Sequence, residues 1–214
     1  MGQSLVSLDT DRIKEYIFAT AKLREISGAS AILRDLNEQT MPSLAETYQA
    51  QTIYVGGGSG LFVVPSDRAH DLITAVQRAY RERTAGAATI TGVALPLPDN
   101  FSIDHSPAQE IWRCIGYKLA AAKLCPASPR PLVTHPLFKT CDSDAAYYAC
   151  AFDPQDQSYL SAPTRAKRDC YQAERQQGNK KLPEDFDDIA DVSRPTGYFA
   201  LIYIDGDNFG RVLE

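Results

Sequence analysis

The feature that most constrains this chain is a device it carries twice: a short apolar, β-branched run that stops abruptly at two aspartates one residue apart. Near the N-terminus Ser4-Leu5-Val6-Ser7-Leu8 runs into Asp9-Thr10-Asp11. Near the C-terminus Tyr198-Phe199-Ala200-Leu201-Ile202-Tyr203-Ile204 runs into Asp205-Gly206-Asp207. Such runs predict buried strands, each delivering a carboxylate pair to its end. Hard divalent cations take carboxylate and carbonyl oxygens, so strand, Asp-x-Asp and helix in succession suit a two-metal phosphoryl-transfer site. The same short motif also serves as an ordinary helix cap. Its repetition in matching context favours the first reading.

Between the two devices, Ile13, Ile17 and Ala21 recur at helical spacing, and Ile26-Ser27-Gly28-Ala29-Ser30 reads as a kink or break before Ala29, Leu33 and Leu36 resume the pattern. Gln51-Thr52-Ile53-Tyr54-Val55 and Leu61-Phe62-Val63-Val64-Pro65 form a predicted hairpin whose tip is Gly56-Gly57-Gly58-Ser59-Gly60. Glycines there let backbone N–H groups approach a phosphate without a Cβ in the way, or simply make a tight turn. Ser66 or Asp67 is expected to cap a helix with the stripe Leu72, Ile73, Val76 and Tyr80, closed by Gly86. Thr89-Ile90-Thr91-Gly92-Val93-Ala94-Leu95 is a fourth strand. The order βαββαβ is ferredoxin-like, the core of palm-type polymerases and nucleotide cyclases. That topology should bring Asp9 and Asp11 close to Gly57 and Ser59. A further helix, opened by Ser106-Pro107 and carrying Ile111, Trp112, Ile115 and Leu119, should cover the open face of the sheet.

From Cys125 to Arg194 the periodicity fades and Pro and Asp become frequent, which reads as an insertion between two structural units. Within it Arg165, Lys167, Arg168, Arg175, Lys180 and Lys181 stand against Asp169 and Glu174, a local net charge of +4. This stretch is either a solvated face or a nucleic-acid contact. The formal net charge of −5 excludes a generic nucleic-acid coat. No apolar run is long enough to cross a bilayer, and five cysteines with no compact framework fit free thiols, so a cytoplasmic location is expected.

The stretch from Leu8-Asp9-Thr10-Asp11 through Lys14-Glu15-Tyr16-Ile17-Phe18, then Leu23-Arg24-Glu25-Ile26-Ser27-Gly28-Ala29-Ser30, Tyr54 to Val64, and Tyr203-Ile204-Asp205-Gly206-Asp207 resemble the CRISPR polymerase family. This is the large subunit of type III CRISPR effector complexes. The resemblance implies two palm domains flanking a small zinc-ribbon insertion, and the joining of ATP into cyclic oligoadenylates in antiviral defence. It implies an α+β fold with a first palm over 1–125, an insertion over 126–195, and the start of a second palm over 196–214. It also implies ATP contacts from Asp9, Ser30, Gly57, Gly58 and Ser59, Mg²⁺ or Mn²⁺ ligands at Asp205 and Asp207, and other effector subunits with guide RNA as partners.

Three departures from that family qualify the expectation. Gly58 and Ser59 stand where a catalytic palm places two carboxylates, so the first palm should bind a nucleotide without activating it. Cys141-Asp142-Ser143-Asp144 and Ser161-Ala162-Pro163-Thr164 stand where paired Cys-x-x-Cys knuckles would fit. No zinc is expected in that segment, and it should be mobile. The sequence also ends before a Gly-Gly-Asp-Asp hairpin, so no catalytic residue is assigned and a second chain is a candidate to complete the site. Two other readings stand beside this one: a degenerate palm acting as scaffold or nucleotide sensor, and a diguanylate-cyclase-like regulator, which would lack its acidic hairpin.

Overall fold

The computed structural model describes residues 2–98, 108–124, 135–178 and 182–198. Residues 199–214, with Asp205 and Asp207, lie outside the described residues, as do Ser106 and Pro107.

β1 (Gln3–Asp11) sits inside a four-stranded sheet of order β2-β3-β1-β4, with β2 at Gln51–Gly56, β3 at Ser59–Pro65 and β4 at Thr89–Pro96. Every neighbouring pair is antiparallel. Together with the helices between β1 and β2 and between β3 and β4, this is the βαββαβ order read from the sequence. β1 takes an interior position because Leu5, Val6 and Leu8 are all fully buried, so both of its faces are apolar. On one face Val6 and Leu8 join Phe62, Val64 and Ile90 against α2 (Leu23–Asp35), α3 (Met41–Thr47) and α4 (Ala69–Arg83). On the other, Leu5 and Val63 pack with Ile115 of α5 (Ala108–Leu124). This helix therefore covers the second face, as its amphipathic spacing predicts. Side chains alternate along a strand, so Asp9 and Asp11 share the α5 face with Leu5.

The break predicted around Gly28 lies elsewhere. A short α1 (Ile13–Ile17) ends, and α2 starts at Leu23 and runs unbroken through Gly28. A Cβ at Gly28 would lie 1.9 Å from the carbonyl oxygen of Lys167, so glycine is there to let another backbone lie against α2. After Asp35 the chain passes through a π-helical turn (Leu36–Thr40) into α3. In α4 the stripe Leu72, Ile73, Val76 and Tyr80 is buried and Gly86 adopts φ +80°, as predicted. The cap differs: Arg68 occupies the N-cap without a side-chain bond, while Ser66 Oγ lies 2.9 Å from Ser4 Oγ.

The stretch expected to be a mobile insertion is packed against the first domain. β5 (Ala149–Asp153) and β6 (Ser158–Ser161) form an antiparallel pair, followed by α6 (Ala162–Gln177), which lies along α2, and by α7 (Phe186–Asp191). The backbone crossing at Gly28 belongs to α6. Its buried face is Pro163, Thr164, Lys167, Arg168 and Tyr171, so no apolar stripe announces it. Lys167 Nζ donates to the Tyr16 carbonyl at 2.7 Å and sits 4.4 Å above the Tyr16 ring. Arg168 Nε donates to Oε1 of the fully buried Glu25 at 2.8 Å, and its Nη1 reaches Asp153 at 2.7 Å and Asp156 at 3.0 Å. Two of the cations of the basic stretch are thus buried and matched, and Arg175 pairs with Glu184. Those three do not form a free basic surface.

The four knuckle positions do meet in space. Asp144 Oδ2 accepts from Ser161 Oγ at 2.7 Å and from Thr164 Oγ1 at 2.8 Å, and Cys141 Sγ lies 3.5 Å from Thr164 Oγ1. Cys141, Ser161 and Thr164 are buried, and Ser161 also caps α6 by accepting from the Thr164 N–H. A hydrogen-bonded carboxylate holds the two segments together. Among the described residues no group of three or more His, Cys, Asp or Glu side chains could hold a metal ion.

Candidate functional site

The site forms where β1 ends beside the tip of the β2–β3 hairpin. Gly56 pairs with Ser59, leaving a two-residue loop in which Gly57 has φ +61° and Gly58 φ +89°. Two successive positive φ values are the signature of a type I′ turn, which fits the right-handed twist of the strands it joins. The other two glycines also have packing reasons: a Cβ at Gly56 would meet Tyr54 Oη at 2.8 Å, and one at Gly60 would meet Phe62 at 2.7 Å. All four glycines are therefore accounted for by the hairpin alone. Gly57 is exposed, whereas Gly58 is buried against Ile13 and Thr10.

β1 grips this tip with the middle residue of Asp9-Thr10-Asp11. Thr10 N–H donates to the Gly58 carbonyl at 2.8 Å and Thr10 Oγ1 donates to it at 2.7 Å. Thr10 Oγ1 is also 3.0 Å from Tyr80 Oη, which lies 3.3 Å from Asn37 Oδ1 in the π-helical turn. Burial pushes the Tyr80 phenol above its usual range, so it remains a proton donor in this chain of contacts.

The flanking aspartates point to the α5 side and part company. Asp9 pairs with Ser59 in register and accepts from Ser59 Oγ at 2.6 Å. Asp11 belongs instead to the β4 side, accepting from Thr89 Oγ1 at 2.8 Å and from Thr91 Oγ1 at 2.9 Å. The expected neighbourhood thus holds for Asp9 with Ser59 but not for Asp11. Lys123, near the C-terminal end of α5, reaches both: its Nζ is 2.5 Å from Asp9 Oδ2 and 3.6 Å from Asp11 Oδ1. Sequence reasoning did not single it out, because nothing in a lysine at the end of an amphipathic helix reports what lies beneath it. The Thr89-Ile90-Thr91 alternation, which places both hydroxyls on one face, was a usable signal.

Ser30 is not brought to this group. It is exposed on α2 and lines a cleft with Ile26, Ser27, Arg34, Tyr171 and Glu174, on the helical side of the sheet. Asp205 and Asp207 fall outside the described residues.

A four-stranded βαββαβ sheet with an aspartate on an interior strand beside a glycine hairpin defines a palm domain. The family model described as the Cas10/Cmr2 second palm domain matches residues 3–123, more than half of the chain. The chain belongs to the Cas10/Cmr2 family, the large subunits of type III CRISPR effectors. Among solved structures, Csm1 of T. onnurineus is similar with a TM-score of 0.52 at 15% identity, over 62% of this chain and 22% of that one. A Csm1–Csm4 cassette in complex with one ATP gives the same TM-score of 0.52 and 15% identity, over 62% and 21% respectively. The likeness at that identity is one of fold, and the chain spans about a fifth of each of those proteins, 22% and 21%. No curated protein matches the chain. The matched family model bears the description of the second palm domain.

Proposed function

We propose that residues 1–125 are a nucleotide-binding palm that contributes to cyclic oligoadenylate synthesis in a type III effector without performing the chemistry itself. The observation that carries this reading is the pairing of Asp9 with Ser59, beside the turn that carries exposed Gly57, in a chain of this family. Exposed Gly57 offers backbone without a Cβ, suited to phosphate oxygens, and Ser59 would turn its hydroxyl from Asp9 to donate to a phosphate. ATP is the proposed ligand, in keeping with the single ATP held by the similar cassette. Asp205 and Asp207 would hold Mg²⁺ or Mn²⁺, since paired carboxylates suit hard cations. When bound, such an ion supplies charge neutralisation for attack of a 3′-hydroxyl on an α-phosphate. The proposed partners are a Csm4-like subunit, the guide RNA complex, and whatever sequence or chain completes the second palm. Residues 126–195 are proposed as a ribbon that has exchanged zinc for hydrogen bonds.

The test exploits the turn type. Asn-Gly is a preferred type I′ pair, so Gly57→Asn preserves the turn while placing a side chain on its open surface. Calorimetric titration of ATP should show binding by the unaltered chain and at least about tenfold weaker binding, ~1.4 kcal/mol, by Gly57→Asn at unchanged melting temperature. Equal affinity would reduce the tip to a turn. Gly58→Val is unsuitable, because its Cβ would lie 2.5 Å from Ile13 Cδ1 and disrupt the fold. A second reading, a scaffold or nucleotide sensor, is favoured by the lack of carboxylates at positions 58 and 59. ATP binding without turnover, even when the second palm is supplied, would select it.

A further inference from the structure

The two aspartates at the end of β1 are answered by a cation belonging to the chain. Lys123 Nζ lies 2.5 Å from Asp9 Oδ2, 3.6 Å from Asp11 Oδ1 and 3.2 Å from the Thr10 carbonyl oxygen, to which it donates. An ammonium has three N–H donors and no acceptor, and here three oxygens surround it: two carboxylate and one main-chain. That is the donor set of a hard divalent ion, but a magnesium ion would demand about 2.0–2.1 Å from each oxygen in near-octahedral geometry. The remaining carboxylate oxygens are engaged as well. Asp9 Oδ1 accepts from Ser59 at 2.6 Å, and Asp11 Oδ2 accepts from Thr89 at 2.8 Å and Thr91 at 3.0 Å. Lys123 is also delivered by a packed element and not by a loose loop. Ile111, Trp112 and Ile115 seat α5 on the sheet, and Lys118 Nζ donates to the Ala94 carbonyl at 2.9 Å.

We propose that Lys123 is the resident cation of this edge, taking the place of a divalent metal ion and closing the Asp9–Asp11 pair to one. This goes beyond nucleotide binding and does not depend on it. Two carboxylates on one strand face repel each other unless a cation lies between them, and a tethered ammonium supplies that charge at high effective concentration. A divalent ion must therefore displace a covalently attached competitor. An ammonium also lacks the open coordination positions through which a metal ion activates water or a hydroxyl. The edge has the form of a metal site and the properties of an ion pair.

Manganese is the probe, because its free and bound forms are distinguished by electron paramagnetic resonance. The full chain should carry Asp205→Asn and Asp207→Asn, so that the C-terminal aspartates contribute nothing. In that background, adding Asp9→Asn should leave Mn²⁺ binding unchanged. Adding Lys123→Met should create one saturable site at least tenfold tighter than any background binding, with a melting temperature that rises with Mn²⁺. Combining Lys123→Met with Asp9→Asn should abolish that site. Loss of Mn²⁺ binding on Asp9→Asn with Lys123 present would overturn the proposal, as would a folded Lys123→Met chain that gains no site. Should Lys123→Met unfold without metal, recovery of its circular dichroism by Mn²⁺ supports the proposal, and failure to recover contradicts it.

Discussion

Gly28 offers the sharpest test of how this domain is assembled, because two glycine-to-alanine changes in helices should move stability in opposite directions. In an exposed helix interior the change is favourable by about 1 kcal/mol, since alanine has less backbone entropy to lose. Gly116, in α5, meets that condition: a Cβ there finds nothing within 4 Å. At Gly28 the new Cβ would lie 1.9 Å from the Lys167 carbonyl oxygen and 2.7 Å from its carbonyl carbon, whereas real Cβ contacts stay beyond 3.0 Å. α6 must then retreat from α2 by about 1.1 Å, the step from 1.9 to 3.0 Å. Overpacking of this kind costs ~1–3 kcal/mol. The retreat also stretches the Lys167 bond to Tyr16 and the Arg168 pair with buried Glu25, whose complete loss would cost ~3–5 kcal/mol. Setting these against the intrinsic gain gives a net destabilisation of about 3 kcal/mol. At roughly 2–4 °C per kcal/mol for a chain of this size, Gly28→Ala should melt roughly 6–12 °C lower and Gly116→Ala roughly 2–4 °C higher. Circular dichroism melts of the three proteins in one buffer measure both. A Gly28→Ala melt at or above the unaltered chain, with Gly116→Ala behaving as stated, would refute the close crossing of α2 and α6.

Two other outcomes follow from the same interior. Converting Asp144, Ser161 and Thr164 to cysteine beside Cys141 rebuilds two Cys-x-x-Cys knuckles at positions that already meet, so the triple variant should retain one zinc per chain through dialysis while the unaltered chain retains none; elemental analysis reads both. Burial raises the phenols of Tyr16 and Tyr80 above their usual 10.0, so their contribution to stability is fully present below pH 10 and is lost as pH climbs toward the folded-state values. Urea midpoints should accordingly fall above pH 10. Tyr16→Phe should flatten that fall at little cost at pH 7, because Tyr16 Oη has no hydrogen-bond partner among the described residues.

What was legible in the sequence was whatever apolar periodicity writes plainly. The β-branched run through Leu5, Val6 and Leu8, the stripe from Leu72 to Tyr80 and the glycine-rich hairpin tip between residues 56 and 60 together place the strands of the sheet. The paired spacing of positions 141 and 144 with 161 and 164 was also legible, and those four residues converge. Three features were hidden for one shared reason: side chains that contradict their composition. α6 buries Lys167 and Arg168, so charge masked a core-facing helix. Gly28 imitates a helix terminus while serving a backbone crossing. Lys123 looks like surface until the sheet beneath α5 places Asp9 within 2.5 Å of it. Ser30, assigned by resemblance, lies on the helical side of the sheet, away from the Asp9 edge, and no residue pattern could have set its distance.

Alternation along β1 divides Asp9-Thr10-Asp11 between the two layers of the domain. A motif of three on a strand buried on both sides cannot belong to one layer: its outer residues look toward α5, and its middle one looks into the helical layer. Thr10 therefore works as an axle through the sheet, with the Gly58 carbonyl, the Tyr80 phenol and the Asn37 amide mounted on its far end. The buried Asn37 in the π-helical turn is thus joined through Tyr80 and Thr10 to the strand that carries both carboxylates, on the opposite side of the sheet from them.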